Sequence, residues 1–250
     1  FFMKHEEKIN TPKVLILSFV LAGIPLALIL KQPDLSTTIV TALIFAALLF
    51  VAGLSYKIVI GVLAVSIPSA VIMFTLLIQD KLPFIKSYQV TRVMAWLYPD
   101  DYPADAYQQQ NSIMAIGSGQ LWGKGLNNTD ATSVKNGNFI PEPQTDFIFA
   151  VAGEELGFIG TVIIIILLLF ITIECIFIAR KAKDTAGRLI CCGVGALIGF
   201  QTFVNIGVAS GLLPNTGVTL PFVSYGLTSL WSLYIGIGLV LNVGLQPKKY

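Results

Sequence analysis

The chain has 250 residues, 55% of them hydrophobic and only 12% charged, with a mean hydropathy of +0.78. A soluble domain carries about 25% charged residues, so this composition excludes an ordinary soluble domain and points to a membrane protein. A net charge of +2 gives no reason to expect nucleic acid as a partner. One histidine (His5) and three cysteines in apolar or membrane-proximal sequence (Cys175, Cys191, Cys192) support neither a disulfide framework nor a His/Cys metal site.

The chain opens Phe-Phe-Met with no basic leader and no cleavage site, so no signal peptide is expected. The start is abrupt and reads as part of something longer. Residues 1–13 are polar and basic. Six apolar runs follow, near 14–31, 37–54, 58–79, 147–179, 189–211 and 219–245, each long enough to span a bilayer. They lack the alternation of a barrel, so the expected fold is all-α, a polytopic helical bundle. The fourth run is over-long, and its first turns are expected at the outer interface or against protein.

Lys and Arg in the connections set the orientation. With residues 1–13 inside, Lys4, Lys8, Lys13, Lys57, Arg180, Lys181, Lys183, Arg188, Lys248 and Lys249 share one side. Both termini are then cytoplasmic, and the long loop, about 80–146, is outside. That loop holds Trp96, Tyr98, Tyr102, Tyr107 and Trp122 and no low-complexity run. It is expected to pack on the membrane surface or re-enter, because structureless loops of such length are uncommon.

Between the first two runs, KQPDLST at 31–37 reads as a turn with Asp34 as helix N-cap. In the loop, AIGSGQLWGKGLNN (115–128) brings Gly117, Gly119, Gly123 and Gly125 close together beside Lys124. Such glycines let backbone amides approach a ligand, but the spacing is not that of the P-loop, and glycine next to lysine is common. Arg92 is either a phosphate partner, through its forked guanidinium, or an interfacial anchor. With five bases against seven acids in residues 80–146, anion binding would need a few residues to converge.

FIPEPQTDFIFAVAGEELGFIG (139–160) carries Asp146 to the mouth of the fourth run, with Glu142 before it and Glu154 and Glu155 within. Burying a carboxylate in hydrocarbon is costly, so acids at such a boundary suggest function. The alternative is an ordinary helix start capped by Thr145 or Asp146. Near the end, Pro214, Gly217, Pro221 and Gly226 break apolar sequence among Thr216, Ser224 and Thr228. This is either a kinked outer loop or a broken helix lining a polar cavity.

Taken together, QPDLST, the GSG and GKG of the loop, PEPQTDFIFAVAGEELGFIG and NTGVTLPFVSYG resemble the SEDS family (shape, elongation, division and sporulation), which contains RodA and FtsW. The chain departs from the family pattern at Ser36, at Leu227 and across Tyr107–Ser112. The resemblance implies a single membrane domain over 1–250 that corresponds to helices five to ten of a ten-helix protein, with four helices preceding it. It implies a peptidoglycan glycosyltransferase of the bacterial cytoplasmic membrane that polymerises lipid II into glycan strands for elongation, division or sporulation. Asp146 matches the family's essential acid and takes the general-base role. Lys124, Arg92 or a divalent cation (Mg or Mn) would neutralise the departing diphosphate, with Gly117, Gly119, Thr216 and Ser224 binding substrate and Glu142, Glu154 and Glu155 in support. Lipid II, the nascent glycan, membrane lipids and a class B penicillin-binding protein, a transpeptidase, are the implied partners. A lipid II flippase and a non-catalytic division or elongation scaffold are the rival readings.

Overall fold

The computed structural model describes residues 1–32, 34–78, 87–126, 133, 137, 139–141 and 143–246. Every regular element among them is helical. After a 3-10 stretch at Phe2–Lys8 come α1 (Pro12–Lys31), α2 (Leu35–Val51), α3 (Tyr56–Ile78), α4 (Ser87–Leu97), α5 (Pro103–Ser118), α6 (Ile148–Lys181), α7 (Thr185–Ala209) and α8 (Leu227–Leu245). The expected all-α membrane bundle is what forms.

Five of these helices, α1, α3, α6, α7 and α8, are long and apolar enough to cross a membrane. The second expected span, α2, is apolar but has 17 residues. At 1.5 Å per residue that is about 26 Å, slightly short of a roughly 30 Å hydrocarbon core. Its start is capped as expected: Thr37 donates its amide to Asp34 Oδ1 at 2.9 Å and its hydroxyl to Oδ2 at 2.6 Å. The last expected span is corrected. Helix begins only at Leu227, and residues 210–226 are irregular, because Pro214 and Pro221 cannot continue a helical hydrogen-bond ladder.

As far as they are described, the residues gather into two compact units. The first comprises 1–55, 163–203 and the chain from Val218. Cys175 and Ala179 of α6, Cys191 and Ile198 of α7, and Leu233, Val240 and Val243 of α8 form its buried core. Lipid tails are as apolar as these side chains, so close fit rather than the hydrophobic effect holds such helices together. Gly195 and Gly199 of α7 serve that fit. A β-carbon on Gly195 would lie 3.1 Å from Cys175 Cβ, and one on Gly199 would lie 3.3 Å from Thr172 Cγ2. At one end, Asn10 bridges the Gly53 carbonyl and the Ser55 amide, and Glu6 reaches Thr185 and Arg188.

The second unit comprises 56–162 and 204–217. Its α3 buries none of its side chains, which suits a helix whose surroundings are lipid. The long loop contributes α4 and α5, and α5 packs through Ala115 against Ile140, Phe147, Ala150 and Val208.

Candidate functional site

The second unit is built around an interruption in α6. At Gly157 the backbone takes φ 67° and ψ −166°, a region essentially closed to residues with a β-carbon. The over-long fourth run is therefore two helical pieces, 148–156 and 158–181. A break strands the two bonds that Phe158 and Ile159 would make to Glu154 and Glu155. Residues 120–125 of the loop take up all four groups. Phe158 and Ile159 donate to the carbonyls of Gln120 and Leu121 at 2.8 and 3.3 Å, while Lys124 and Gly125 donate to those of Glu154 and Glu155 at 2.9 and 3.0 Å. Each group left unpaired at membrane depth would cost several kcal/mol. The loop thus splices into the helix and ties its first turns to protein.

The splice explains the glycines. A β-carbon on Gly119 would collide with the Gly153 carbonyl, one on Gly123 with the Glu155 carbonyl, and one on Gly157 with the Gly123 amide. The expected use of these amides is corrected here. Those of Gly119, Gln120, Gly123, Lys124 and Gly125 all donate within the chain, so they do not form a phosphate cradle. Around Gly117 there is open space.

Lys124, though exposed, is held through its ammonium. Its Nζ donates to Glu154 Oε1 at 2.8 Å, and the two side chains are 28% and 2% exposed. The pair lies on the wall of a pocket of about 200 Å³, with Asn111, Met114, Ala115, Ser118 and Phe139 completing the lining.

Asp146 stands half-buried two residues before α6. Its carbonyl accepts a 2.7 Å bond from Asn205 Nδ2, and Asn205 itself is 1% exposed. Its carboxylate abuts Gly217: a β-carbon there would lie 3.3 Å from Oδ2, and the backbone has φ +73°. The end of α7 and the irregular 210–217 segment are held in place by α5 and α4. Gln109 donates to the carbonyls of Val208 and Leu213, Ser112 to that of Ala209, and Trp96 to that of Gly211. Helix C-termini leave carbonyls without partners, and here buried side chains supply the donors. Thr216, next to Gly217, belongs to this same segment.

Arg92 is exposed on α4, its guanidinium carbon 5.8 Å from the Tyr88 ring centroid. Ser224 belongs to the other unit. It is 3% exposed, and its hydroxyl accepts the Leu220 amide at 2.7 Å to close a turn. That bond and burial give it a structural task where substrate contact was expected. Glu155 is half-buried in the splice, and Glu142 lies outside the described residues. Among the described residues no three His, Cys, Asp or Glu side chains gather to hold a metal ion. Sequence reasoning missed Gln109 and Ser112, although a polar run from Gln108 to Ser112 on one helix is a signal that its side chains have bonds to make.

These features define a multi-helix membrane protein with an acid-centred site at the end of an interrupted helix. The chain belongs to the FtsW/RodA/SpoVE family of cell cycle proteins, whose profile it matches over residues 1–249. It is 37% identical over 225 residues to the probable peptidoglycan glycosyltransferase FtsW of Escherichia coli O6:H1, covering 88% of this chain and 51% of that protein. It is 39% identical over 234 residues to the peptidoglycan glycosyltransferase MrdB of Escherichia coli K12, covering 93% and 60%. The fold superposes on a chain of a peptidoglycan synthase complex described as coordinating polymerization and crosslinking, with TM-score 0.72 and 29% identity over 97% of this chain and 66% of that one. It also superposes on the rod shape determining protein RodA of Thermus thermophilus, with TM-score 0.56 and 24% identity over 98% and 64%, which supports the fold. The chain spans a little over half the length of the curated relatives.

Proposed function

We propose that this chain carries the catalytic acid of a peptidoglycan glycosyltransferase that polymerises lipid II at the outer face of the bacterial cytoplasmic membrane. The observation that supports it most is the seating of Asp146. Asn205 fixes its main chain, Gly217 leaves room for its carboxylate, and it stays half-exposed at the end of an apolar helix. Chain growth on a lipid-linked donor is an inverting displacement at the anomeric carbon. The attacking 4-hydroxyl of the acceptor sugar gives up a proton as its oxygen bonds to carbon and undecaprenyl diphosphate departs. A half-exposed carboxylate held by its main chain can take that proton.

Arg92, exposed on α4, is the candidate for charge neutralisation of the diphosphate, and Thr216 and Gly117 are candidates for substrate contact. The charge of the connections supports a cytoplasmic position for both termini. The names of the relatives and the synthase complex support a transpeptidase of the penicillin-binding class as partner. The test uses the full-length protein, of which these residues are a part, reconstituted with that partner and lipid II. Glycan polymer on a gel is the expected product. Translocation of lipid II without polymer would establish the flippase reading instead, and neither outcome would leave only a scaffold.

A further inference from the structure

The pocket beside Lys124 has a chemistry that does not match a diphosphate. Its one base is neutralised by its one acid at 2.8 Å. The Asn111 amide group donates to the Phe139 carbonyl at 3.0 Å, and an amide carries an acceptor oxygen as well. The Ser118 hydroxyl spends its hydrogen on the Ala115 carbonyl at 2.8 Å and keeps its lone pairs. A phosphate offers only acceptors and negative charge, and it would meet the Ser118 oxygen and the buried Glu154 carboxylate. Lys124 supplies the complementary donors, since its ammonium has three and the Glu154 bond uses one. Met114 and Phe139 add apolar faces. At about 200 Å³ the space is below the roughly 300–1,000 Å³ of pockets that take a drug-sized molecule, so one ring fits rather than a whole head group.

We propose that the Lys124–Glu154 pocket is a sugar subsite: it takes one uncharged pyranose ring of the substrate, through hydroxyl and amide groups that both donate and accept, and not the diphosphate. The pocket bears on the reacting site because Ala115 on its wall packs in one cluster with Phe147, the neighbour of Asp146. This assignment rests on the glycosyltransferase reading above. Glu154 is then a positioning residue. It neutralises Lys124 and aims it, and the pocket loses its selectivity against anions without it.

The test is labelling of Lys124 by an amine-reactive reagent in the full-length protein, read by mass spectrometry. The probes are lipid II, a lipid-linked disaccharide without peptide, and undecaprenyl diphosphate. Lipid II and the peptide-free disaccharide should each lower labelling several-fold, and undecaprenyl diphosphate should leave it unchanged. In Glu154→Gln, where Lys124 keeps its charge without its counter-ion, undecaprenyl diphosphate should begin to protect. Equal protection of the unaltered protein by undecaprenyl diphosphate would overturn the proposal. So would protection that needs the peptide, no protection by lipid II, a Lys124 that does not label, or a Glu154→Gln variant that still ignores the diphosphate. The same preparation is assayed for polymer. Polymer without protection at Lys124 sinks the subsite alone, whereas absence of polymer sinks the glycosyltransferase reading.

Discussion

Glu154 holds Lys124 at both ends: its carbonyl takes the Lys124 amide at 2.9 Å and its carboxylate takes the ammonium at 2.8 Å. A flexible four-carbon side chain is thereby fixed in one direction at a pocket wall. Hydrogen bonds to charged groups contribute about 1.5–3 kcal/mol, more than neutral ones. Lys124→Ala should therefore lower the stability of the detergent-solubilised protein by about that amount in thermal or denaturant unfolding. Arg92→Ala loses only an exposed contact over Tyr88 and should cost about 0.5–1 kcal/mol. Equal costs for the two variants would contradict the clamp.

Gly157→Ala probes the splice. The added β-carbon would strain a left-handed backbone and strike the Gly123 amide, and strain of this kind costs about 1–3 kcal/mol before any hydrogen bond is lost. The loop should become markedly more sensitive to protease. Gly117→Ala is the control, because its β-carbon meets nothing within 4 Å in a helical position. It should be neutral or slightly stabilising. A Gly157→Ala protein as protease-resistant as the parent would show that the loop does not depend on the break.

Gln109→Ala removes both donors that cover Val208 and Leu213. The Val208 carbonyl keeps the Gly211 amide at 3.1 Å, so the Leu213 carbonyl is the one that loses its donor, and a carbonyl left without a partner costs about 1–3 kcal/mol. Unfolding should shift by about that much, and because these bonds hold the segment next to Asp146, polymer yield should fall with it. A variant that keeps full stability would mean that water replaces the amide without penalty.

The apolar helices were legible in the sequence because bilayer length and hydropathy are properties of single runs, and α1, α3 and α7 fall within a few residues of where those runs lie. The break in α6 was not. AGEELGFIG reads as uninterrupted helix, and Gly157 gains its meaning only from amides more than thirty positions earlier. The same non-locality misdirected the glycine-lysine loop. Gly119, Gly123 and Gly125 permit close approach, but spacing does not say whether a ligand or another backbone does the approaching. Asp146 could be singled out because a carboxylate at the edge of an apolar run is costly in any context. Its partners Asn205 and Gly217 lie 59 and 71 positions away, where no local pattern links them to it.

Orientation is a separate question, and labelling decides it. With Cys175, Cys191 and Cys192 replaced by Ala, a cysteine at Gln120 should react with an impermeant thiol reagent on intact cells, and one at Lys183 should not. Both positions are exposed, so access and not burial controls the result. The reverse pattern would put Asp146 in the compartment where no wall is built.

The most direct measurement is glycan synthesis by Asp146→Asn. Asparagine keeps the size and the capping capacity of aspartate, and the Asn205 bond to the main-chain carbonyl is untouched, so the fold and partner binding should survive. It cannot accept the proton, and a general base contributes about 10²–10⁴-fold. The purified full-length variant, given its transpeptidase partner and lipid II, should form polymer at a rate lower by that factor while melting within about 1 °C of the parent. Polymerisation near the parental rate would show that Asp146 caps the helix and does no chemistry, and would contradict the account at its centre.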